Sequence, residues 1–198
     1  MANTRETHQA FRLFVGSVLY QGTWFATVLS AGHAHRWWWG LLSVLAFAGI
    51  VSFGWPSLRQ RIWWMLFASV LCGLIVDTGM IIAQVWQSPR VVMPAPLPPT
   101  WLLLLWAAFG IYIALSLEML YGRYRVAAVV GAIGGMLAYR GGALLGAIHW
   151  GKPEWMTTTI LALIWAVVFP ALIWTATRLQ QQEQTARMRA SRMHVALM

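Results

Sequence analysis

The chain has 198 residues, of which 60% are hydrophobic and 10% are charged, and its formal net charge is +9. A soluble domain of this size carries about a quarter charged residues, so the composition excludes an ordinary soluble globular protein. The apolar residues form runs of about twenty, long enough to cross the ~30 Å hydrocarbon layer of a bilayer. We therefore predict an all-α fold, a polytopic transmembrane helix bundle.

Six apolar stretches follow one another along the chain and predict six spans. The first stretch is too long for the apolar region of a cleavable signal peptide, so we expect it to be retained as a span. The connector between the third and fourth stretches holds five of the eight prolines, so it cannot be a helix. The predicted spans cover residues 11–31, 37–55, 62–86, 101–121, 126–148 and 156–178, forming one transmembrane domain over 1–178 with a basic cytoplasmic tail over 179–198.

The basic residues predict the orientation. If the N-terminus lies in the cytoplasm, ten arginines fall in cytoplasmic segments, whereas only Arg36, Arg90 and Lys152 fall on the opposite side. This positive-inside pattern places both chain ends in the cytoplasm. The basic charge then faces the lipid bilayer, which is the first expected partner. No nucleic-acid-binding motif is present, so no nucleic-acid partner is expected.

Three ionisable residues lie within predicted spans, where a charge costs about 2.5–3.5 kcal/mol near the bilayer centre. Asp77 lies about 22 Å along the third span and Arg140 about 21 Å along the fifth, which runs in the same direction. We therefore predict that the two meet, either as a structural ion pair or as the centre of a polar site reached from the outer side. Glu118 lies near the end of its span and is expected to reach towards Arg123 and Arg125.

Polar residues form stripes on two of the predicted helices. Ser69, Gly73, Asp77, Met80 and Gln84 share one face of the third span, and Ser17, Gln21 and Trp24 share one face of the first. Hydrogen bonding between helices is the default role of such residues, and contact with a substrate is the alternative. The expected substrate-binding residues are Asp77, Arg140, Gln21, Trp24 and Tyr139.

The fifth span is rich in glycine. Four of these glycines are expected to form a helix-packing face: Gly131, Gly135, Gly142 and Gly146. Arg140 lies on the opposite side if the helix is continuous. If the helix instead breaks at Arg140-Gly-Gly142, the freed backbone groups join the arginine in a site. The sequence leaves both alternatives open.

Familiar motifs for catalysis and for cofactors are absent, including HExxH, Gly-x-Ser-x-Gly and CxxC. We therefore expect no cofactor and assign no catalytic residue, and whether the protein is an enzyme stays open. His33, His35 and His149 fall at the outer rim in this topology. We expect them to be interface residues and predict no metal site.

Several segments carry a family resemblance. Tyr20-Gln-Gly-Thr-Trp-Phe-Ala-Thr-Val-Leu29, Asp77-Thr-Gly79 and Pro98-Pro-Thr-Trp-Leu-Leu-Leu-Leu-Trp106 resemble the family of uncharacterised bacterial membrane proteins DUF2878, and residues 131–139 and 142–147 fit the same pattern. The resemblance implies the bacterial inner (cytoplasmic) membrane and lipid-related work, but no established activity. Family members tend to have Pro after the paired glycines, where this chain has Met136, which weakens the case for a broken fifth helix.

Three functions remain compatible with these features. The first is a carrier or binding protein for a small or lipidic solute, with an outward-facing polar pocket. The second is a membrane-embedded, lipid-modifying enzyme, for which Asp77 or His149 would be the general acid or base. The third is an accessory subunit of a membrane complex, in which the glycine face and the Trp-rich surface contact another membrane protein.

Overall fold

A computed structural model describes residues 2–31, 37–89, 93, 94 and 96–196. Its six α-helices confirm the all-α prediction. Two short 3-10 turns, Pro56–Leu58 and Glu118–Leu120, precede α3 and follow α4. The helices are α1 (Ala2–Ala31), α2 (Trp37–Gly54), α3 (Arg59–Ile82), α4 (Thr100–Ser116), α5 (Tyr124–Leu144) and α6 (Glu154–Ala196).

The helices alternate in direction, so the bundle has two distinct ends. The starts of α1, α3 and α5 and the ends of α2, α4 and α6 lie together at what we call the termini end. At the opposite end, β1 (Trp86–Gln87) pairs antiparallel with β2 (His149–Trp150). We call this the hairpin end. The pairing ties the segment after α3 to the segment after α5.

The segments that lead into the two strands begin with the same helix-ending motif. After α5, the N–H groups of Gly146 and Ala147 donate to Ala143 and Gly142, and Gly146 has φ +74°. After α3, Gln84 has φ +54° and takes the place of the glycine. In each case a left-handed residue satisfies the last helical carbonyls and turns the chain. Both helices therefore end earlier than predicted, and Gln84 does not belong to the polar face of α3.

Helix α4 is the centre of the bundle, because it packs against α1, α2 and α3 and most of its residues are buried. Helix α5 instead pairs mainly with α6. The bundle therefore consists of a group formed by α1 to α4 and a pair formed by α5 and α6, with α6 also contacting α3 and α4. Helices α1 and α5 hardly touch each other directly, which leaves a gap between the two groups.

The outer surface of the bundle is apolar. Large hydrophobic side chains such as Phe14, Phe53, Ile75 and Val167 are exposed, as expected for a surface that faces lipid rather than water. Among the described residues, four helical stretches are long and apolar enough to cross a membrane: 6–31, 56–82, 124–144 and 154–192. Helices α2 and α4 are also apolar but are shorter. These features define an α-helical membrane protein.

The helix bounds resolve one of the open alternatives. Helix α5 is continuous through Arg140 and Gly142, so the broken-helix alternative is wrong. Helix α6 runs on through Pro170 as far as Ala196, so the basic tail is helical up to that residue. The described residues of the proline-rich connector, 88, 89, 93, 94 and 96–99, are non-helical as predicted, and residues 90–92 and 95 lie outside the described part.

Candidate functional site

The carboxylate of Asp77 is fully buried on the inner face of α3. This face repeats every three or four residues, as the hydrophobic core of a helix requires. Two neutral donors satisfy the carboxylate: the indole Nε1–H of Trp106 on α4 donates to Oδ2 at 2.6 Å, and the hydroxyl of Tyr139 on α5 donates to Oδ1 at 2.5 Å. Asp77 therefore joins three helices through hydrogen bonds.

The predicted pairing of Asp77 with Arg140 is wrong. Tyr139 points inward to Asp77, and the next residue along an α-helix lies about 100° further round the axis, so Arg140 faces outward. Its Nε lies 3.1 Å from the Oε1 of Glu154 at the start of α6, and about half of each side chain is exposed. Arg140 shares this surface with His149 and Trp150, away from the buried carboxylate.

Two glycines make room for a stack of tryptophans beside Asp77. A side chain at Gly73, one turn before Asp77, would overlap the ring of Trp106. The Trp106 ring stacks on the ring of Trp165 from α6, with centroids 5.0 Å apart and an interplanar angle of 5°. A side chain at Gly135 of α5 would in turn overlap Trp165. The two stacked tryptophans, from α4 and α6, thus lie between a glycine of α3 and a glycine of α5, and this packing joins the four helices.

The expected packing face of α5 exists only in part. Gly131 and Gly135 lie against Trp165 and Phe169 of α6, so close that a side chain at either glycine would overlap them. Gly142 has only the side chain of Ile148 nearby. Gly146 lies beyond the end of α5 and has no described atom where a side chain would go, so its assignment to the packing face is wrong.

A cleft of about 420 Å³ lies between α1 and α5, with α4 and α6 as its floor. Its described lining contains aromatic, aliphatic and glycine residues, with Gln21 as its one amide and no charged side chain. Several lining residues are exposed at the surface of the bundle, so the cleft opens at the side of the bundle. These exposed residues are Gln21, Phe25, Val130, Gly134 and Leu137.

A smaller cavity of about 40 Å³ continues from the cleft towards the hairpin end. The two spaces share a wall that includes Tyr20, Trp24, Phe109 and Trp165. Trp106 and Tyr139, the two donors to Asp77, line the smaller cavity. The Asp77 carboxylate itself is sealed behind them. The site is therefore aromatic and apolar, unlike the polar pocket expected from the sequence.

The polar groups of the cleft lie mainly on α1, together with the hydroxyl of Tyr112 on α4 and the indole Nε1–H of Trp165 on α6, which is buried without a partner among the described residues. Tyr20 stacks on Tyr112 of α4 at a centroid distance of 4.8 Å, and the Tyr112 hydroxyl lies 3.0 Å from the Ser17 hydroxyl. Trp24 reaches across to α5, where its ring lies beside Gly141. Within the described residues, the Tyr20 hydroxyl and the Gln21 amide make no hydrogen bond to protein.

A network of four charged residues lies at the termini end. Glu118 accepts hydrogen bonds from Arg12 and Arg61, each at 2.8 Å, and Arg61 also binds Glu183 at 2.7 Å. The network connects α1, the turn after α4, α3 and α6. Burial raises the pKa of the adjacent Tyr121 to about 12, so its phenol stays neutral. In this network, Glu118 contacts Arg12 and Arg61 rather than the predicted Arg123 and Arg125.

Sequence reasoning missed three aromatic contributors to the site: Trp106, Trp165 and Tyr20. Tryptophan concentrates where a bilayer meets water, but Trp106 and Trp165 each lie more than one helical turn inside their helices. For Trp106 that depth was a usable signal of a buried polar partner, whereas the buried Nε1–H of Trp165 makes no hydrogen bond within the described part of the chain. Among the described residues, no group of histidine, cysteine and carboxylate side chains is arranged to hold a metal ion. His33 and His35 lie outside the described part of the chain.

The fold and the apolar cleft place this chain among the α-helical membrane proteins. Residues 13–171 match the model of a family described as a protein of unknown function, DUF2878. Because the match covers most of the chain, the protein belongs to this family. No curated protein and no solved structure matches the chain.

Proposed function

We propose that this protein is a six-span protein of the bacterial inner membrane that binds a lipidic solute in the cleft between α1 and α5. The proposal counts α2 and α4 as spans: at 18 and 17 residues they measure about 27 and 25 Å, close to the hydrocarbon thickness. The arginines gathered at the termini end support an orientation with both chain ends in the cytoplasm.

The observation that carries the proposal is the sideways opening of a cleft of about 420 Å³ on the apolar outer surface of the bundle. This volume lies within the range of about 300–1,000 Å³ that is usual for small-molecule sites. A molecule dissolved in the bilayer reaches such an opening without crossing water. The aromatic and aliphatic lining suits an acyl or other hydrocarbon chain, because both binding partners are apolar.

In this proposal, Asp77 acts as a positioning residue. Its two oxygens fix the Trp106 indole and the Tyr139 phenol, and these rings shape the inner end of the site. The Trp106 ring in turn supports Trp165, which lines both the cavity and the cleft. Asp77 therefore influences a bound molecule through the rings that it holds.

The same geometry ranks the alternative functions below binding. A lipid-modifying enzyme needs an acid or base in contact with its substrate, but Asp77 is sealed behind Trp106 and Tyr139. His149, the other candidate, lies at the hairpin end beside Arg140 and Glu154, on a surface separate from the cleft. An accessory subunit of a membrane complex does not require a cleft of this kind. Binding, in a carrier or in a lipid-sensing protein, accounts for the cleft directly.

Photolabelling tests the proposal. The purified protein in vesicles is exposed to a phospholipid that carries a diazirine on one acyl chain, and the labelled residues are mapped by mass spectrometry. We expect the label on residues at the floor of the cleft, such as Phe109 and Phe169, in addition to the outer surface. Label confined to the outer surface would contradict the proposal.

Gly134→Leu blocks the cleft selectively. Gly134 lines the cleft and has no described atom where its side chain would lie, so a leucine fills the site without displacing protein. Gly49→Leu on α2 is the matched control, because Gly49 is equally open but far from the cleft. We expect Gly134→Leu to remove the label at the floor of the cleft and Gly49→Leu to leave it unchanged. Equal labelling in both variants would overturn the assignment.

A further inference from the structure

The chemistry of the cleft restricts which lipids fit it. Its described lining has no charged side chain, and the nearest buried carboxylate already accepts two hydrogen bonds. A charged headgroup drawn into this space would lose its hydration without gaining a counter-ion, which costs several kcal/mol. A charged group of the ligand is therefore excluded from the cleft.

A neutral polar group of a ligand, in contrast, can form hydrogen bonds with two unpaired polar side chains of α1. Gln21 lies ten residues past Phe11, the start of the apolar stretch of α1, which places it about 15 Å into the hydrocarbon layer. An amide at this depth normally hydrogen-bonds a neighbouring helix, but Gln21 has no such partner among the described residues. The hydroxyl of the adjacent Tyr20 is likewise unpaired within the described part of the chain. Both residues line the cleft.

We infer that the ligand is an uncharged lipid with a hydroxyl or carbonyl group, which hydrogen-bonds to Tyr20 and Gln21 near the middle of the membrane. This inference rests on the proposed function and adds the class of ligand to it. The hydroxyl of Tyr20 and the amide NH₂ of Gln21 donate to an oxygen of the ligand, and the Gln21 carbonyl accepts from a ligand hydroxyl. The hydrocarbon chain of the ligand occupies the aromatic part of the cleft.

Stacking on Tyr112 holds the ring of Tyr20, one of the two hydrogen-bond donors, in a fixed orientation. The Tyr20 ring lies nearly parallel to the Tyr112 ring, at an interplanar angle of 8°, and Tyr112 is tied to Ser17 one turn earlier on α1. These contacts orient the Tyr20 ring before a ligand binds, so little conformational entropy is lost on binding. Gln21 is exposed and adapts to the position of the ligand oxygen.

Competition among three compounds of equal hydrocarbon chain length tests the inference. Hexadecanol, hexadecane and hexadecyl sulfate are each added to vesicles in which the diazirine phospholipid labels the floor of the cleft. We expect hexadecanol to displace the label at about a tenfold lower mole fraction than hexadecane, which corresponds to about 1.4 kcal/mol. Hexadecyl sulfate, whose charge is permanent, is expected to displace the label no better than hexadecane.

Two variants assign the selectivity to the named groups. Tyr20→Phe and Gln21→Leu each remove one polar partner and retain an apolar side chain, so each is expected to reduce the preference for hexadecanol while leaving displacement by hexadecane unchanged. Tyr124→Phe, the same change outside the cleft, is expected to have no effect. Because Gln21 is exposed and unpaired, its variant tests the inference even if Tyr20→Phe fails to fold.

The outcomes separate the inference from the proposed function. If all three compounds displace the label equally, or if hexadecyl sulfate is the strongest, the cleft binds lipid but the inferred ligand class is wrong. A preference for hexadecanol that survives both variants also refutes it. If the floor of the cleft is never labelled, the proposed function itself fails, and the ligand class fails with it.

Discussion

The ring of Trp106 occupies the space that a side chain at Gly73 would fill. Gly73 lies one helical turn before Asp77, so the ring that packs on the glycine also brings its Nε1–H to the carboxylate. Gly73 and Asp77, on one face of α3, therefore bind the same tryptophan of the neighbouring helix: the glycine provides space for the ring, and the carboxylate accepts its hydrogen bond.

Gly73→Leu should destabilise the protein, because the added side chain displaces Trp106 and breaks its hydrogen bond to Asp77. Overpacking of a filled site costs about 1–3 kcal/mol, to which the lost hydrogen bond adds. Thermal unfolding in detergent is the measurement. Gly79→Leu is the matched control on the same helix, since Gly79 is open. Equal melting temperatures for the two variants would contradict the described packing.

Asp77 and Tyr139 should be energetically coupled, whereas Asp77 and Arg140 should not. Removing either member of a hydrogen-bonded pair in a membrane interior costs about 1–2 kcal/mol. In a double-mutant cycle, Asp77→Ala with Tyr139→Phe should therefore lose less stability than the sum of the single changes. Asp77→Ala with Arg140→Ala should be additive. A measured coupling energy between Asp77 and Arg140 would contradict the structure and support an ion pair between them.

Two adjacent glycines on α5 should respond differently to the same change. Gly135→Leu should lower the melting temperature or abolish accumulation, because the leucine overlaps the Trp165 ring. Gly134→Leu projects into the cleft and should leave folding intact. Expression level and thermal unfolding compare the two variants directly. Normal folding of Gly135→Leu would show that α5 and α6 are not packed as described.

The charged network at the termini end should contribute to stability. Glu118→Ala leaves the buried Arg61 with one carboxylate instead of two, and loss of a partner from a buried ion pair costs up to about 3–5 kcal/mol. Glu154→Ala removes the exposed partner of Arg140 and should cost less than about 1 kcal/mol. Chemical or thermal unfolding of the two variants gives the comparison. A larger effect from Glu154→Ala would be inconsistent with the burial of Arg61.

The proposed topology places Ser88 outside the cytoplasm and the C-terminus within it. Alkaline phosphatase is active only after export, so its fusion after Ser88 should be active and its fusion at the C-terminus should be inactive. Enzyme activity in intact cells is the measurement. A reversed result would overturn the orientation, and activity at both sites would mean that an even number of spans, instead of the proposed three, separates Ser88 from the C-terminus.

The sequence by itself determined the class of protein, the six helices and the inner face of α3. These features depend on hydrophobicity and periodicity along one helix, which are local properties. The same reasoning placed Asp77 and Arg140 at matching depth, and it drew attention to Gln21, Trp24 and Tyr139. Depth along a helix is likewise a local property.

Only the tertiary structure decided which side chains meet. Depth along a helix does not specify how far that helix is rotated about its axis. Tyr139 and Arg140 are neighbours in sequence and lie at nearly the same depth, but they point in different directions, so that Tyr139 binds Asp77 and Arg140 does not. That rotation depends on the fit between glycines of one helix and tryptophans of another, far apart in sequence. The cleft between α1 and α5 exists for the same reason: α5 packs closely on α6 through Gly131 and Gly135, which holds it away from α1.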